Sequence, residues 1–285
     1  MAKLKGNALK RLAALEPFPE PPILHVRYPV MLMHGFGMMA AFRRGGMLHP
    51  IALRLREQGV WAYAPNVAPY ETVPVRAQMW KDRLLHVLEE TGADRVNLIA
   101  HSMGGLDARY LISELAMHPV VASLTTVASP HRGTALADIV LEQPERIHSW
   151  LAGLANWMST AAMEEASADF TGAVAELTPE YVEETFNPAV PDHPSVQYWS
   201  YAGRAGKGTD VPISPLLRPL NALLYARDGI NDGFVALSRA QWGHYLGALD
   251  ADHVQQIGLD FASRNDFDAH AFYRSVVEML AREGL

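Results

Sequence analysis

The 285-residue chain contains no cysteine. Disulfides, thiolate zinc sites and a cysteine nucleophile are thereby excluded, and the redox compartment is left open. Basic residues are scarce as well: 24 Lys and Arg stand against 31 Asp and Glu, for a formal net charge of -7. Phosphate recognition needs a concentrated basic surface, so nucleic acid is not an expected partner and small or lipidic molecules are. No apolar run approaches the roughly 18–20 residues that span a bilayer. Near the start, the only apolar stretch in MAKLKGNALKRLAALEPFPEPP is LAAL, too short for the core of a secretory signal. The expected location is therefore the cytoplasm, export by another route aside. Lys3, Lys5, Lys10 and Arg11 beside Leu4, Leu9, Leu12 and Leu15 suit either a solvated face or transient contact with an anionic lipid surface.

With 49% hydrophobic residues, the chain can bury one large core, and a single domain over 1–285 is expected. Its first half alternates. YPVMLMHGFG is an apolar run stopped by glycine, and Gly46 to Gln58 has helical spacing that closes at Gly59. VWAYAPN follows as a strand, Val75 to Glu90 as a long amphipathic helix, RVNLIAH as a third strand, GGLDARYLISELA as a helix and ASLTTVASP as a fourth strand. Continuous apolar strands between helices indicate a parallel sheet covered on both faces, hence the α/β class. From about Gly133 to Asp192 the alternation gives way to helical periodicity, carrying Trp150, Leu151, Leu154, Trp157 and Met158. A helical insertion over 139–192 is the natural reading. VQYWSYAG resumes as a strand, GFVALSRA reads as a short one after an Asn-Asp-Gly turn, and DAHAFYRSVVEMLAREG closes the chain as a helix.

The chemistry concentrates at VNLIAHSMGGLDARY. A serine between a strand and a helix, with small residues two positions to either side, is the pattern of a nucleophile held on a tight turn above a sheet. Ser102 has Ala100 and Gly104 at those positions. A serine hydroxyl needs a base to take its proton and a carboxylate to orient the base. In chain order these should follow as acid and then histidine. The acids available are Asp210, Asp228, Asp232, Asp250 and Asp252, and the histidines His244, His253 and His270. Asp232 sits in a turn beside a strand edge and His253 in a loop before the last helical region, so these two are selected. His244, in WGHY, is expected to pack among aromatics, and His270 to face outward from the last helix. An oxyanion needs two backbone N–H donors. Met103, directly after the serine, supplies one, and Phe36, in the HGFG loop after the first strand, the other.

At this point the chain resembles the bacterial triacylglycerol lipases of the α/β-hydrolase fold, typified by the Pseudomonas and Burkholderia enzymes. The matching segments are YPVMLMHGFG, VNLIAHSMGGLDARY, VASPHRGT, DFTGAVAELTPEYVEETFN followed by YWSYAG, and NDGFVALSRAQWG with HVQQIG. They run in order from about residue 28 to 258. The resemblance implies an α/β-hydrolase fold with a mostly parallel central sheet and a lid-like insertion. It implies a serine ester hydrolase for acylglycerols or other lipidic esters, working through an acyl-enzyme without a cofactor. It also implies Ser102 as nucleophile, Asp232 as acid, His253 as base, and Phe36 and Met103 as oxyanion donors. A short-chain carboxylesterase, an acyltransferase and a non-catalytic lipid-binding protein on the same fold are the alternatives.

The sequence departs from that family in telling places. Ala100 replaces the usual glycine before the nucleophile, and the family's disulfide is impossible. Gln255 stands two residues after His253, where relatives carry an aspartate that binds calcium. A neutral amide is a poor ligand for a hard cation, so no metal is expected there. The insertion occupies the place of the family's lid, for which an amphipathic helix is suitable, although the same stripe also suits ordinary core packing. His131 and Arg132 are expected to shape a loop, and Arg109 to serve in a structural ion pair.

Overall fold

The computed structural model describes residues 23–36, 46–142, 169–261 and 265–285. In chain order its strands are β1 (Val30–Met33), β2 (Ala62–Tyr63), β3 (Val96–His101), β4 (Val121–Val127), β5 (Gln197–Gly203) and β6 (His244–Leu249). The α-helices of six residues or more are α1 (His49–Arg56), α2 (Val73–Thr91), α3 (Gly104–Ser113), α4 (Ala135–Glu142), α5 (Phe170–Ala175), α6 (Arg218–Asp228) and α7 (Ala269–Arg282). Between α5 and β5 a π-helical turn spans Tyr181–Phe186. The strands form one six-stranded sheet in the order β2-β1-β3-β4-β5-β6, every neighbouring pair parallel.

Parallel strands need a crossover between them, and each face of the sheet must then be covered. Side chains alternate along a strand, which decides what each residue meets. In β1, Val30 and Leu32 join Ile51 and Leu55 of α1 and Val276 and Leu280 of α7. Met31 and Met33 turn to the other face, against Trp80 and Leu84 of α2 and Leu111 of α3. This two-sided burial is complete: every residue of β1, β3 and β4 is buried, the polar Asn97, His101, Ser123, Thr125 and Thr126 among them. A third cluster, of Met103, Leu106, Ala137, Val174, Val182 and Phe186, lies between α3 and the foot of the insertion.

That foot is tied down at close range. Thr134 N–H donates to Leu177 O at 2.8 Å. Gly133 has φ +68°, and a Cβ there would lie 2.5 Å from the Pro179 backbone, so only glycine fits both the conformation and the space. α4 and α5 pack on each other. The described residues at the foot of the insertion include α4, α5 and the π-helical turn. Trp150, Leu151, Leu154, Trp157 and Met158 lie outside the described residues, as does the N-terminal segment 1–22.

Two expectations are corrected. GFVALSRA is not a strand: beyond a single bridge between Asn231 and Ala236 it is turn. The physical reason is that Asp232 Oδ1 takes the N–H groups of Phe234 and Val235, at 3.0 and 2.8 Å, that a ladder would have used. The edge strand is instead β6, HYLGAL, and His244, expected to pack, begins it exposed to solvent. Among the described residues no helix is long and apolar enough to cross a membrane.

Candidate active site

The site lies where β1 and β3 end. Ser102 has φ 58°, the left-handed region that a residue with a Cβ enters at a cost of about 1–2 kcal/mol. Neighbouring glycines make the turn sterically possible. A Cβ at Gly104 would sit 2.9 Å from the carbonyl oxygens of both Met33 and His34. Gly35 is held just as closely: its Cβ would come 2.6 Å from Ser102 Cβ and 2.8 Å from Met103 N. Because the obstacles at Gly104 are backbone atoms, Gly104→Ala is expected to cost about 1–3 kcal/mol, read as a lower urea midpoint with activity reduced alongside. A midpoint at the wild-type value would show that the turn relaxes freely.

The residues selected from the sequence meet at Ser102. His253 Nε2 lies 2.9 Å from Ser102 Oγ, and His253 Nδ1 lies 2.8 Å from Asp232 Oδ2. His253 N–H also donates to the Asp232 backbone oxygen at 3.0 Å, so the two loops are joined twice. Phe234 stacks on the imidazole with centroids 4.9 Å apart. Burial alone would raise Asp232, but His253 and the amides of Val235 and Phe234 outweigh it and hold the carboxyl below its usual range. With Asp232 ionised, the proton belongs on Nδ1 and the Nε2 lone pair faces the serine hydroxyl. Three of the four competing acids are engaged elsewhere: Asp228 pairs with Arg239 at 3.0 Å, Asp250 with Arg204 at 2.6 Å, and Asp252 accepts from Ser214 N at 2.8 Å.

Phe36 and Met103 flank the same serine. His34 Nδ1 and Gly35 O are 2.9 Å apart, and Arg76 Nη2 donates to His34 O at 2.8 Å. In a trans peptide the N–H points opposite to the carbonyl, so tying Gly35 O to the His34 ring turns the Phe36 N–H the other way. Neither the Phe36 nor the Met103 N–H is spent on another hydrogen bond among the described residues. On the same side, Phe36, Tyr70 and Phe170 form an aromatic cluster with centroids 5.3–5.9 Å apart.

Arg109 is structural, as expected. It donates to Asn187 Oδ1 and Val190 O at 2.8 and 3.0 Å, lies 3.6 Å from Asp192 and stacks 3.8 Å over Trp242. His131 is buried against Thr126 Oγ1 at 2.9 Å, and Arg132 donates to Gln241 O at 2.6 Å, which shapes the loop after β4. At the position of the lipases' calcium ligand, Gln255 Oε1 accepts the Asp252 N–H at 2.9 Å. Asp252 in turn takes the N–H groups of Val254 and Gln255, at 3.1 and 2.9 Å. A donor set already closed on backbone amides does not fit a hard cation. Among the described residues no group of three or more His, Cys, Asp or Glu could hold a metal ion. One residue escaped the sequence reading altogether: Gln256 Nε2 donates to Asp232 Oδ2 at 2.9 Å, and its Oε1 faces His101 Nε2 at 3.2 Å.

Sheet order, elbow and serine–histidine–aspartate geometry together define an α/β-hydrolase fold. The lipase BlEst2 of Bacillus licheniformis, in its mature form, superposes with a TM-score of 0.65 over 93% of this chain and 96% of that one, at 20% identity. Within that fold, the chain belongs to the family described as Domain of unknown function (DUF7379), whose pattern matches residues 23–191. Curated relatives carry the name triacylglycerol lipase, as the resemblance implied. Triacylglycerol lipase 2 of Saccharomyces cerevisiae is 31% identical over 207 residues, covering 66% of this chain and 58% of that protein. The triacylglycerol lipase of Burkholderia plantarii is 36% identical over 118 residues, covering 40% of this chain and 32% of that protein. The chain is thus matched to little more than half of one relative and about a third of the other.

Proposed function

We propose that the chain is a serine hydrolase of carboxylic esters, acting on acylglycerols or other lipidic esters through an acyl-enzyme. The observation that carries this is the unbroken line from Asp232 Oδ2 through His253 to Ser102 Oγ, at 2.8 and 2.9 Å. His253 Nε2 takes the serine proton as Oγ attacks the ester carbonyl, and Asp232 stabilises the imidazolium that forms. The carbonyl oxygen gains negative charge, which the Phe36 and Met103 N–H groups receive. Collapse of the intermediate returns the proton from His253 to the departing alcohol, and water, activated by the same imidazole, releases the acid. The aromatic cluster of Phe36, Tyr70 and Phe170 is an apolar wall suited to an acyl chain, and the names of the curated relatives support the same substrate class.

The test is hydrolysis of nitrophenyl esters from acetate to palmitate, run beside labelling with a fluorophosphonate and mass mapping of the adduct. Long-chain turnover and an adduct on Ser102 are expected. Activity confined to acetate and butyrate would make the protein a short-chain carboxylesterase. Labelling without hydrolysis would point to acyl transfer, and no adduct would leave a non-catalytic lipid-binding role.

A further inference from the structure

We infer that Gln256 is a positioning residue for the Asp232–His253 pair, an amide that aims the carboxylate at the imidazole. The inference rests on the hydrolase reading above. Asp232 Oδ2 receives two donors, His253 Nδ1 at 2.8 Å and Gln256 Nε2 at 2.9 Å, while Oδ1 receives the Phe234 and Val235 amides. With all four donors in place the carboxylate cannot rotate. The Gln256 amide is itself oriented: its NH2 must face the carboxylate, so its oxygen is the end turned to His101 Nε2 at 3.2 Å. The arrangement is enclosed, because Asp232 and Gln256 are fully buried and His101 nearly so. A Cβ at Gly203 would strike the Gln256 amide and lie 2.8 Å from Asp232 Cβ, so β5 closes the cage from below.

Gln256 holds the acceptor in line with His253 Nδ1, because its amide fixes the oxygen that the imidazole uses. The titratable and charged groups around His253 are few. Asp232 comes from the loop after α6, His101 from the end of β3 with its ring 4.5 Å away, Ser102 from the elbow, and Asp252 from the histidine's own loop. His101 is kept neutral chiefly by burial and then by His253, which hold it down to about 3, so it adds no charge of its own in the working range.

Gln256→Met removes the amide and keeps the volume. Expected is a kcat about tenfold lower with KM unchanged, because the carboxylate is no longer held in line with the imidazole. Gln256→Glu keeps size and polarity and removes the N–H donor. Its kcat is expected to fall in the same way, with KM unchanged. If only one variant folds, its kcat decides. A lower melting temperature with kcat at the wild-type value overturns the proposal. So does failure of both variants to fold, since Gln256 would then be structural. Wild-type protein inert to fluorophosphonate is a different outcome: the hydrolase reading falls, and the proposal with it.

Discussion

Ser102→Ala is expected to lower ester hydrolysis by about a million-fold at unchanged folded concentration, leaving only the contribution of binding and the oxyanion donors. Nothing near Ser102 can substitute for its hydroxyl. Oγ is the atom 2.9 Å from His253 Nε2, and no other hydroxyl among the described residues hydrogen-bonds that nitrogen. The same line of hydrogen bonds predicts a particular failure of additivity. His253→Ala should be nearly as damaging as Ser102→Ala, and the double variant no worse than either, because the two residues perform one proton transfer between them. Asp232→Asn should cost about 10⁴-fold, since an amide at that position can present its NH2 to Nδ1 and reverse the tautomer. The measurement is kcat/KM on one nitrophenyl ester, with circular dichroism to confirm that each variant is folded. Residual activity above about one percent in Ser102→Ala would remove the serine from the chemistry.

The second large effect is loss of the fold in mild acid. His34, His101 and His131 are all buried. Burial, and then the Arg76 guanidinium, bring His34 down to about 3; burial, and then His253, do the same for His101. His131 is held well below its ordinary value by burial and by Arg109 and Arg132. In the unfolded chain all three return to about 6.5. The folded values are the lower ones, so the unfolded chain binds more protons between pH 6.5 and about 3, and stability falls as pH falls through that window. At pH 4, His34 and His101 each weaken the fold by on the order of 3 kcal/mol, against a typical total of about 5–15 kcal/mol. Asp232 acts in the same direction at the bottom of the window. Its folded value is depressed, so its contribution is full above the unfolded carboxylate value and disappears as pH drops through the folded one. Urea midpoints at pH 7, 5.5 and 4 should fall steadily, with unfolding near pH 4 in little or no denaturant. Equal midpoints at pH 7 and 4 would show that these imidazoles take up protons in the folded chain.

What could be read from the sequence follows the range of the forces involved. The elbow was legible because its constraints are local: two small residues, a strand before and a helix after, all within 15 residues. The parallel sheet was legible because burial on both faces leaves mainly apolar strands between helices, VMLM in β1 and LIA within β3, rather than strict alternation. β6 was not, because only one side of this edge strand is paired, and its residues are half-buried or exposed with Gly247 in the middle. GFVALSRA misled for the opposite reason: its apolar spacing suits a strand, yet the Asp232 carboxylate captured the amides such a strand needs. Gln256 carried no local signal. Its partners are Asp232, 24 positions away, and His101, 155 positions away, and only the closed fold brings them together. The buried pair of Arg76 and Asp107, 2.8 Å apart and joined by Trp80 Nε1 at 3.1 Å, is of the same kind.

The close fit of Gly133 against Pro179, with Thr134 bound to Leu177, bears on how this family can change. Glu142, at the end of α4, and Asp169, which caps α5, belong to two helices that pack on each other over this brace. Ser102, Asp232 and His253 lie outside it and take their geometry from the sheet. The brace between Gly133, Thr134 and α5 can therefore vary without touching the strand ends that set the geometry at Ser102.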